Sequence, residues 1–196
     1  MSQVMLARKD ERQLDDQLMA GMFRLRHDVF HDRLKWQVAS DDGMEHDRFD
    51  ECKPVYVLVR GDAGEVEGCW RILPTTGPYM LKDVFPELLY GASAPEHPAA
   101  WELSRFAVAN GARREGRHGF TDIPIRMMQR AFQFARDNGI ERYVTVTTVA
   151  IERMLRRLGI ETHRYGPPMQ IGCEMTVAFW IEIDANTEAA VFGTRP

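Results

Sequence analysis

The segment TDIPIRMMQRAFQFARDNG (121–139) reads as a helix complete from start to stop, and no other single feature limits the fold as much. Thr121 or Asp122 can cap it and Pro124 suits its first turn. Ile125, Met128, Phe132 and Ala135 make a core face, and Asn138-Gly139 ends it. β-Rich runs stand on either side, WELSRFAV (101–108) before and RYVTVTTVA (142–150) after. Upstream, Leu14, Leu18, Met22, Leu25 and Val29 recur at spacings of three and four, the stripe of an amphipathic helix over about 10–30. PVYVLVRG (54–61) and VEGCWRIL (66–73) are β-rich and joined by DAGE, whose Gly64 suits a hairpin turn. A short helical piece is expected around Asp83 to Tyr90, and another at IERMLRRLG (151–159), stopped by Gly159. IGCEMTVAFWIEI (171–183) alternates so that Ile171, Cys173, Met175, Val177, Phe179, Ile181 and Ile183 share one face of a single long strand. The order helix, hairpin, strand, helix, strand, helix, strand predicts an α/β fold, a three-layer αβα sandwich with helices on both faces of the sheet.

At 196 residues the chain fits one domain spanning 1–196, within which a polar, irregular segment at about 31–53 carries Trp36 and Phe49 among seven acidic residues. Such a segment suits a lid over a pocket or a surface anchor. The formal net charge of -4 offers no footprint for nucleic acid. Cys52, Cys69 and Cys173 are scattered, without a CxxC pair, and fit a reducing cytosol. MSQVMLARKDERQ at the start is charged where a signal peptide needs an apolar core, and no run approaches the roughly 20 apolar residues of a membrane span. A cytoplasmic protein with no membrane partner is expected.

Glu102, Ser104 and Arg105 stand on an otherwise apolar strand, where burying charge costs several kcal/mol unless each group is partnered. On a regular strand Glu102 and Ser104 point to one face and Arg105 to the other, an assignment a bulge would change. A carboxylate beside a hydroxyl can hold a water or take a proton from an attacking amine, and a nearby guanidinium can steady an oxyanion. The plainer alternative is a Glu–Arg pair that only ties the sheet together. Asp47 and Asp50, with Arg26, Phe30 and Trp36 close in sequence, make a second constellation. Carboxylates and aromatic faces suit a cation and Arg suits a carboxylate, together the groups of an amino-acid-like cationic ligand; a solvated acidic loop with one anchoring tryptophan is the alternative. His27 and His31 lack the HExxH pattern of a zinc enzyme and read as surface histidines, so no metal is expected. Walker, GxGxxG and GxSxG motifs are absent from the sequence.

FRLRHDVFHDRLKWQV, HDRFD, GCWRILPTTGPYMLKDVFPEL, WELSRFAV and VTVTTVAIERMLRRLG occur in an order and spacing that resemble the acyl-homoserine-lactone synthases, the autoinducer synthases of bacterial quorum sensing, over roughly residues 4 to 185. The resemblance places the family's invariant positions on Arg26, Phe30, Trp36, Asp47, Asp50, Arg71, Phe85, Glu102 and Arg105. It implies a mixed sheet like that of the GNAT acetyltransferases. It also implies acyl transfer from an acyl carrier protein to the α-amine of S-adenosylmethionine, then lactonisation with release of methylthioadenosine. S-Adenosylmethionine is then a substrate, and no cofactor is expected. In that reading Glu102, directly or through a water held with Ser104, is the general base, while Arg71 or Arg105 organises the site. Arg26, Phe30, Trp36, Asp47 and Asp50 would enclose S-adenosylmethionine. The acyl chain would meet Phe85, Met80, Leu103, Met127 and Leu155, and Thr145 would favour a 3-oxo group. Arg153, Arg156 and Arg157 would offer a basic face to the acidic carrier protein.

The competing enzyme is a GNAT-type N-acetyltransferase using acetyl-CoA, whose pyrophosphate loop needs small residues. RREGRHGF (113–120) supplies Arg113 and Gly116 but, after Arg117, puts His118 where a small residue is required, which fits a carrier-protein thioester better. A ligand-sensing module without turnover is the non-enzymatic alternative, and intact Glu102 and Arg71 argue against it.

Overall fold

The computed structural model describes residues 2–9, 14–110 and 122–193. The chain divides into two compact units, Met1–Ile72 with Arg105–Ala131, and Leu73–Ser104 with Phe132–Pro196.

In the first unit Asp15 caps helix α1 (Asp16–Arg26) by accepting from the Leu18 N–H at 2.7 Å. The stripe of Leu14, Leu18, Met22, Leu25 and Val29 is buried, with Phe30, Tyr56, Leu58, Cys69 and Ala107 in the same core. The helix expected to run on to residue 30 instead loosens at His27. Residues His27–Arg33 form a π-helical segment, and the Leu34 N–H bonds the Val29 carbonyl five residues back. Strand β1 (Gln3–Ala7), which no sequence signal announced, pairs antiparallel with β4 (Val55–Arg60). The latter forms the expected hairpin with β5 (Val66–Pro74), and Gly64 takes φ +91° in the turn, where a side chain would be strained. The irregular segment contains a two-stranded hairpin, β2 (Ser40–Asp41) and β3 (Met44–Glu45), followed by a 3-10 turn at Arg48–Glu51.

In the second unit β6 (Ala100–Val108) pairs parallel with β7 (Arg142–Thr148), with Leu103 opposite Thr145. Helix α3 (Asp122–Asp137) is the crossover between them in the chain, as its apolar spacing and the stop at Asn138-Gly139, with Gly139 at φ +65°, predict. The first unit holds the C-terminal end of β6 and the N-terminal part of α3. Strand β10 (Glu174–Glu182) runs antiparallel to β7 and also carries the short β8 (His163–Arg164) and β9 (Met169–Ile171). Helix α4 (Val149–Arg157) starts at the Thr148 cap, and α5 (Ala185–Phe192) follows β10.

Two expectations about this unit are corrected. Residues 171–183 are not one strand: Gly172 at φ +58° turns the chain between β9 and β10, so Cys173 is exposed and Met175 is 45% exposed, while Val177, Phe179 and Ile181 keep the buried face. The helix expected at 83–90 begins earlier, as α2 (Met80–Asp83), and Pro86 opens a separate 3-10 turn at Pro86–Leu89.

Candidate active site

Six charged side chains of the first unit form one buried network. Arg26, at the end of α1, is fully buried; its Nε donates to Glu45 Oε2 at 2.5 Å, and its two terminal nitrogens grip Asp50 at 2.7 and 3.0 Å. Arg71 on β5, also fully buried, donates to Asp47 at 2.5 and 3.0 Å and to Asp50 at 2.9 Å. Arg105 on β6 reaches Glu45 at 2.8 Å and Asp47 at 3.0 Å. Three guanidinium groups therefore face three carboxylates, and the fork geometry of arginine lets each cation serve two anions at once. The Tyr56 hydroxyl adds a bond to Asp50 at 2.7 Å.

Local structure places the anions. Asp42 and Gly43 take φ +49° and +69° between β2 and β3, a two-residue hairpin turn, and this turn delivers Glu45 into the interior. Asp47 and Asp50 form a reciprocal capping box around the 3-10 turn, Asp47 accepting from the Phe49 N–H at 2.9 Å and Asp50 from the Asp47 N–H at 2.8 Å. Burial opposes ionisation of Asp50, but the charge and hydrogen bonds of Arg26, reinforced by Arg71, outweigh it and hold this carboxyl well below the usual carboxylate range. Burial first, then the Asp50 charge, drives the Tyr56 phenol upward. The buried Cys69 thiol is pushed up to about 12, chiefly by desolvation, so it is an inert core group.

Arg105 does not follow the regular strand. Its φ of +58° lies in the left-handed region, which costs a non-glycine residue about 1–3 kcal/mol, so the simple alternation with Glu102 and Ser104 fails at this residue. The distorted backbone accompanies a side chain bonded to Glu45 and Asp47, with its guanidinium 5.1 Å above the Phe30 ring. Trp36 packs on Phe30 with ring centroids 5.4 Å apart, and its buried indole N–H has no hydrogen-bond partner. Within the network, Asp47 keeps 16% side-chain exposure against 5% for Asp50 and none for Glu45, so Asp47 is the carboxylate most open to a ligand.

The second unit holds the other sequence-derived residues. Glu102 is fully buried, accepting from the Met80 N–H at 3.0 Å and the Leu81 N–H at 2.7 Å, and so anchors the start of α2. Ser104 is buried on the same strand. Thr145 is buried and donates its hydroxyl to the Leu103 carbonyl at 2.8 Å. Met80, Leu103 and Leu155 are buried and Phe85 is half-buried. Met127 belongs to the first unit, where its sulfur lies 2.8 Å from the position a Cβ on Gly68 would take. Arg153, Arg156 and Arg157 are all exposed on α4, whose inward Glu152 is buried and bonds Arg164 and Thr162. The RREGRHGF loop and Thr121 lie outside the described residues.

Sequence reasoning alone does not single out Glu45. Its signal was the Asp42-Gly43 pair, a hairpin dipeptide that sets the register of the residues after it.

The mixed parallel and antiparallel sheet with its helices is a GNAT-like α/β fold. A likeness of fold alone links the chain to an acyl-CoA N-acyltransferase from Pseudomonas aeruginosa, at 14% identity and TM-score 0.60 over 92% of this chain and 99% of the other. Sequence goes further, because residues 10–191 match the autoinducer synthase family. The chain is 44% identical over 192 residues to an acyl-homoserine-lactone synthase of Pseudomonas aeruginosa, covering 97% of this chain and 94% of the relative. It superposes on the crystal structure of the AHL synthase LasI with TM-score 0.89 at 44% identity, over 98% of this chain and 95% of that one. The structure of BjaI, a CoA-dependent acyl-homoserine lactone synthase with SAM and isopentyl-CoA, aligns with TM-score 0.86 at 26% identity over 99% and 89% of the two chains. The chain belongs to the autoinducer synthase family and is an enzyme, an acyl-homoserine-lactone synthase. Among the described residues no helix is long and apolar enough to cross a membrane.

Proposed function

We propose that the enzyme, working in the bacterial cytoplasm, joins the acyl group of an acyl-acyl carrier protein to the α-amine of S-adenosylmethionine and then closes the lactone, favouring a 3-oxo acyl chain. The observation that carries this reading is the charge-balanced network of Arg26, Glu45, Asp47, Asp50, Arg71 and Arg105, with Phe30 beneath Arg105 and Trp36 against Phe30. Asp47 offers a partly open carboxylate to a cation, the aromatic faces suit a sulfonium, and the unpartnered Trp36 N–H can donate to a ligand oxygen.

Glu102 is the proposed base. Glu102, buried on β6 and held by the Met80 and Leu81 amides, would take the ammonium proton directly or through a water. The freed amine attacks the thioester carbon and the carrier thiolate departs. The substrate's carboxylate oxygen then attacks its own γ-carbon, the C–S bond breaks, and methylthioadenosine leaves as a neutral thioether. Holding that carboxylate against the γ-carbon supplies most of the second step.

The experiment is to incubate the purified protein with S-adenosylmethionine and matched thioesters, 3-oxo and unsubstituted, on carrier protein and on coenzyme A, and to read products by mass spectrometry. Acyl-homoserine lactone with methylthioadenosine from the carrier-protein donors supports the reading. Product from coenzyme A thioesters alone would replace the donor, and acetylation of another amine from acetyl-CoA would replace the reaction.

Two predictions belong to this reading. Reversing charge on α4 with R156E and R157E together is expected to raise KM for the carrier-protein donor roughly tenfold or more, with kcat and the response to a coenzyme A thioester little changed. An unchanged KM would remove α4 as the docking face. The 3-oxo preference rests on Thr145, whose hydroxyl must turn from the Leu103 carbonyl to the acyl chain when the donor binds. T145V is expected to cost about 1 kcal/mol of stability and to lower the 3-oxo over unsubstituted ratio of kcat/KM roughly tenfold. If the ratio does not change, Thr145 does not select the donor.

A further inference from the structure

We propose that the ion pair of Glu152 and Arg164 positions the basic face of α4 for the acidic carrier protein, by fixing the rotation of that helix without touching the partner itself. The inference rests on the docking of a carrier protein to α4 and names the residues that make the face presentable. Two residues of α4 are buried, Leu155 and Glu152, and Glu152 is only 1% exposed. Arg164, on the short strand β8, donates through Nε to Glu152 Oε1 at 2.7 Å and through Nη2 to Oε2. The Thr162 hydroxyl donates to Oε1 at 3.2 Å. The pair therefore joins α4 to a strand that is itself paired with β10, Arg164 standing opposite Phe179.

Stability alone does not call for a carboxylate here, because a buried ion pair roughly breaks even against apolar packing of the same volume. What the pair adds is direction. A guanidinium fork takes a carboxylate in one plane and one register, whereas a leucine in the same place would leave the helix freer to turn about its axis. The rotation matters for the arginines. Each helical residue advances about 100°, so Arg156 lies about 40° from Glu152, Arg153 about 100° and Arg157 about 140°, all toward one side. Leu155 lies about 60° and Ile151 about 100° toward the other side. Glu152 thus marks the border between the apolar and the basic faces of α4, and holding it holds both. Its hydrogen bonds to Arg164, acting against burial, keep its carboxyl below the ordinary range, with a smaller share from the Arg156 charge.

The sign of one effect separates positioning from charge. Glu152 is an anion beside a face that must attract anions, so if its charge alone mattered, removing it would tighten the carrier protein. Positioning predicts the reverse. The test measures KM for an acyl-acyl carrier protein and for S-adenosylmethionine with the purified full chain. E152Q keeps the shape and loses the charge, and R164K keeps the charge and loses the fork. Each is expected to raise the carrier-protein KM roughly five- to tenfold, with kcat and the S-adenosylmethionine KM within about twofold of wild type. The double variant should add little to either single one, since both break the same contact. Circular dichroism checks folding; if E152Q does not fold, R164K decides, because Arg164 is 34% exposed and lysine fits there. An unchanged or lowered carrier-protein KM, or a loss confined to kcat, overturns the inference. R156E/R157E tells the two failures apart: if it raises the carrier-protein KM while E152Q and R164K do not, the docking face stands and the positioning pair falls. If it leaves that KM unchanged, the docking reading fails and takes the pair with it.

Discussion

Replacing Glu45 with alanine is expected to destabilise the protein by about 3–5 kcal/mol and to abolish binding of S-adenosylmethionine. Glu45 is fully buried and bridges Arg26 at 2.5 Å and Arg105 at 2.8 Å. Alanine removes one anion and leaves two guanidinium groups facing a small void, with two carboxylates to balance three cations. Removing one partner of a buried ion pair costs far more than the intact pair contributes, because the charge left behind has neither water nor counter-ion. Glu45 also holds Arg105, which lies over Phe30, so the aromatic wall should loosen with it. Urea unfolding and calorimetric titration with S-adenosylmethionine measure the two effects. A loss below about 1 kcal/mol would show that water enters the network and that the three arginines do not depend on Glu45.

The sequence exposed most of this network and missed what joins it. Arg26 falls at the end of an apolar stripe with clear spacing, and Arg71 and Arg105 stand on β-rich runs, so their elements were readable. The 3-10 turn that aims Asp47 and Asp50 has no apolar periodicity to mark it, although its capping-box spacing is local. Glu45 looked like one more acidic residue in a polar stretch, and only the register set by the Asp42-Gly43 turn shows that it points inward. The positive φ at Arg105 had no local signal, since an arginine rarely adopts it unless its surroundings compensate for the strain. For Glu102 the sequence marked an unusual buried charge but not its partners, because the Met80 and Leu81 amides arrive from a turn placed by tertiary packing. The single strand expected at 171–183 failed at Gly172, where alternation continued through a residue whose backbone turned back.

Substituting Asp50 by asparagine is expected to lower stability by about 3–5 kcal/mol at neutral pH and to flatten the acid limb of the stability curve. Asp50 accepts two bonds from Arg26, one from Arg71, one from Tyr56 and one from the Asp47 backbone. Asparagine keeps the shape but loses the charge, and its amide turns donors toward guanidinium donors. The pH dependence follows from the direction of the shift. The folded-state pKa of Asp50 is depressed, while an unfolded aspartate titrates near 3.9. The unfolded chain therefore takes up the proton first as pH falls. The stabilisation is complete above about pH 5 and is lost progressively as pH drops through the unfolded value toward the folded one. Wild-type unfolding free energy should fall steeply between about pH 5 and pH 2, whereas D50N should retain only the shallower slope of the remaining carboxylates. Parallel limbs for the two proteins would mean that acid sensitivity resides elsewhere, and that Arg26 and Arg71 hold Asp50 no more tightly folded than unfolded.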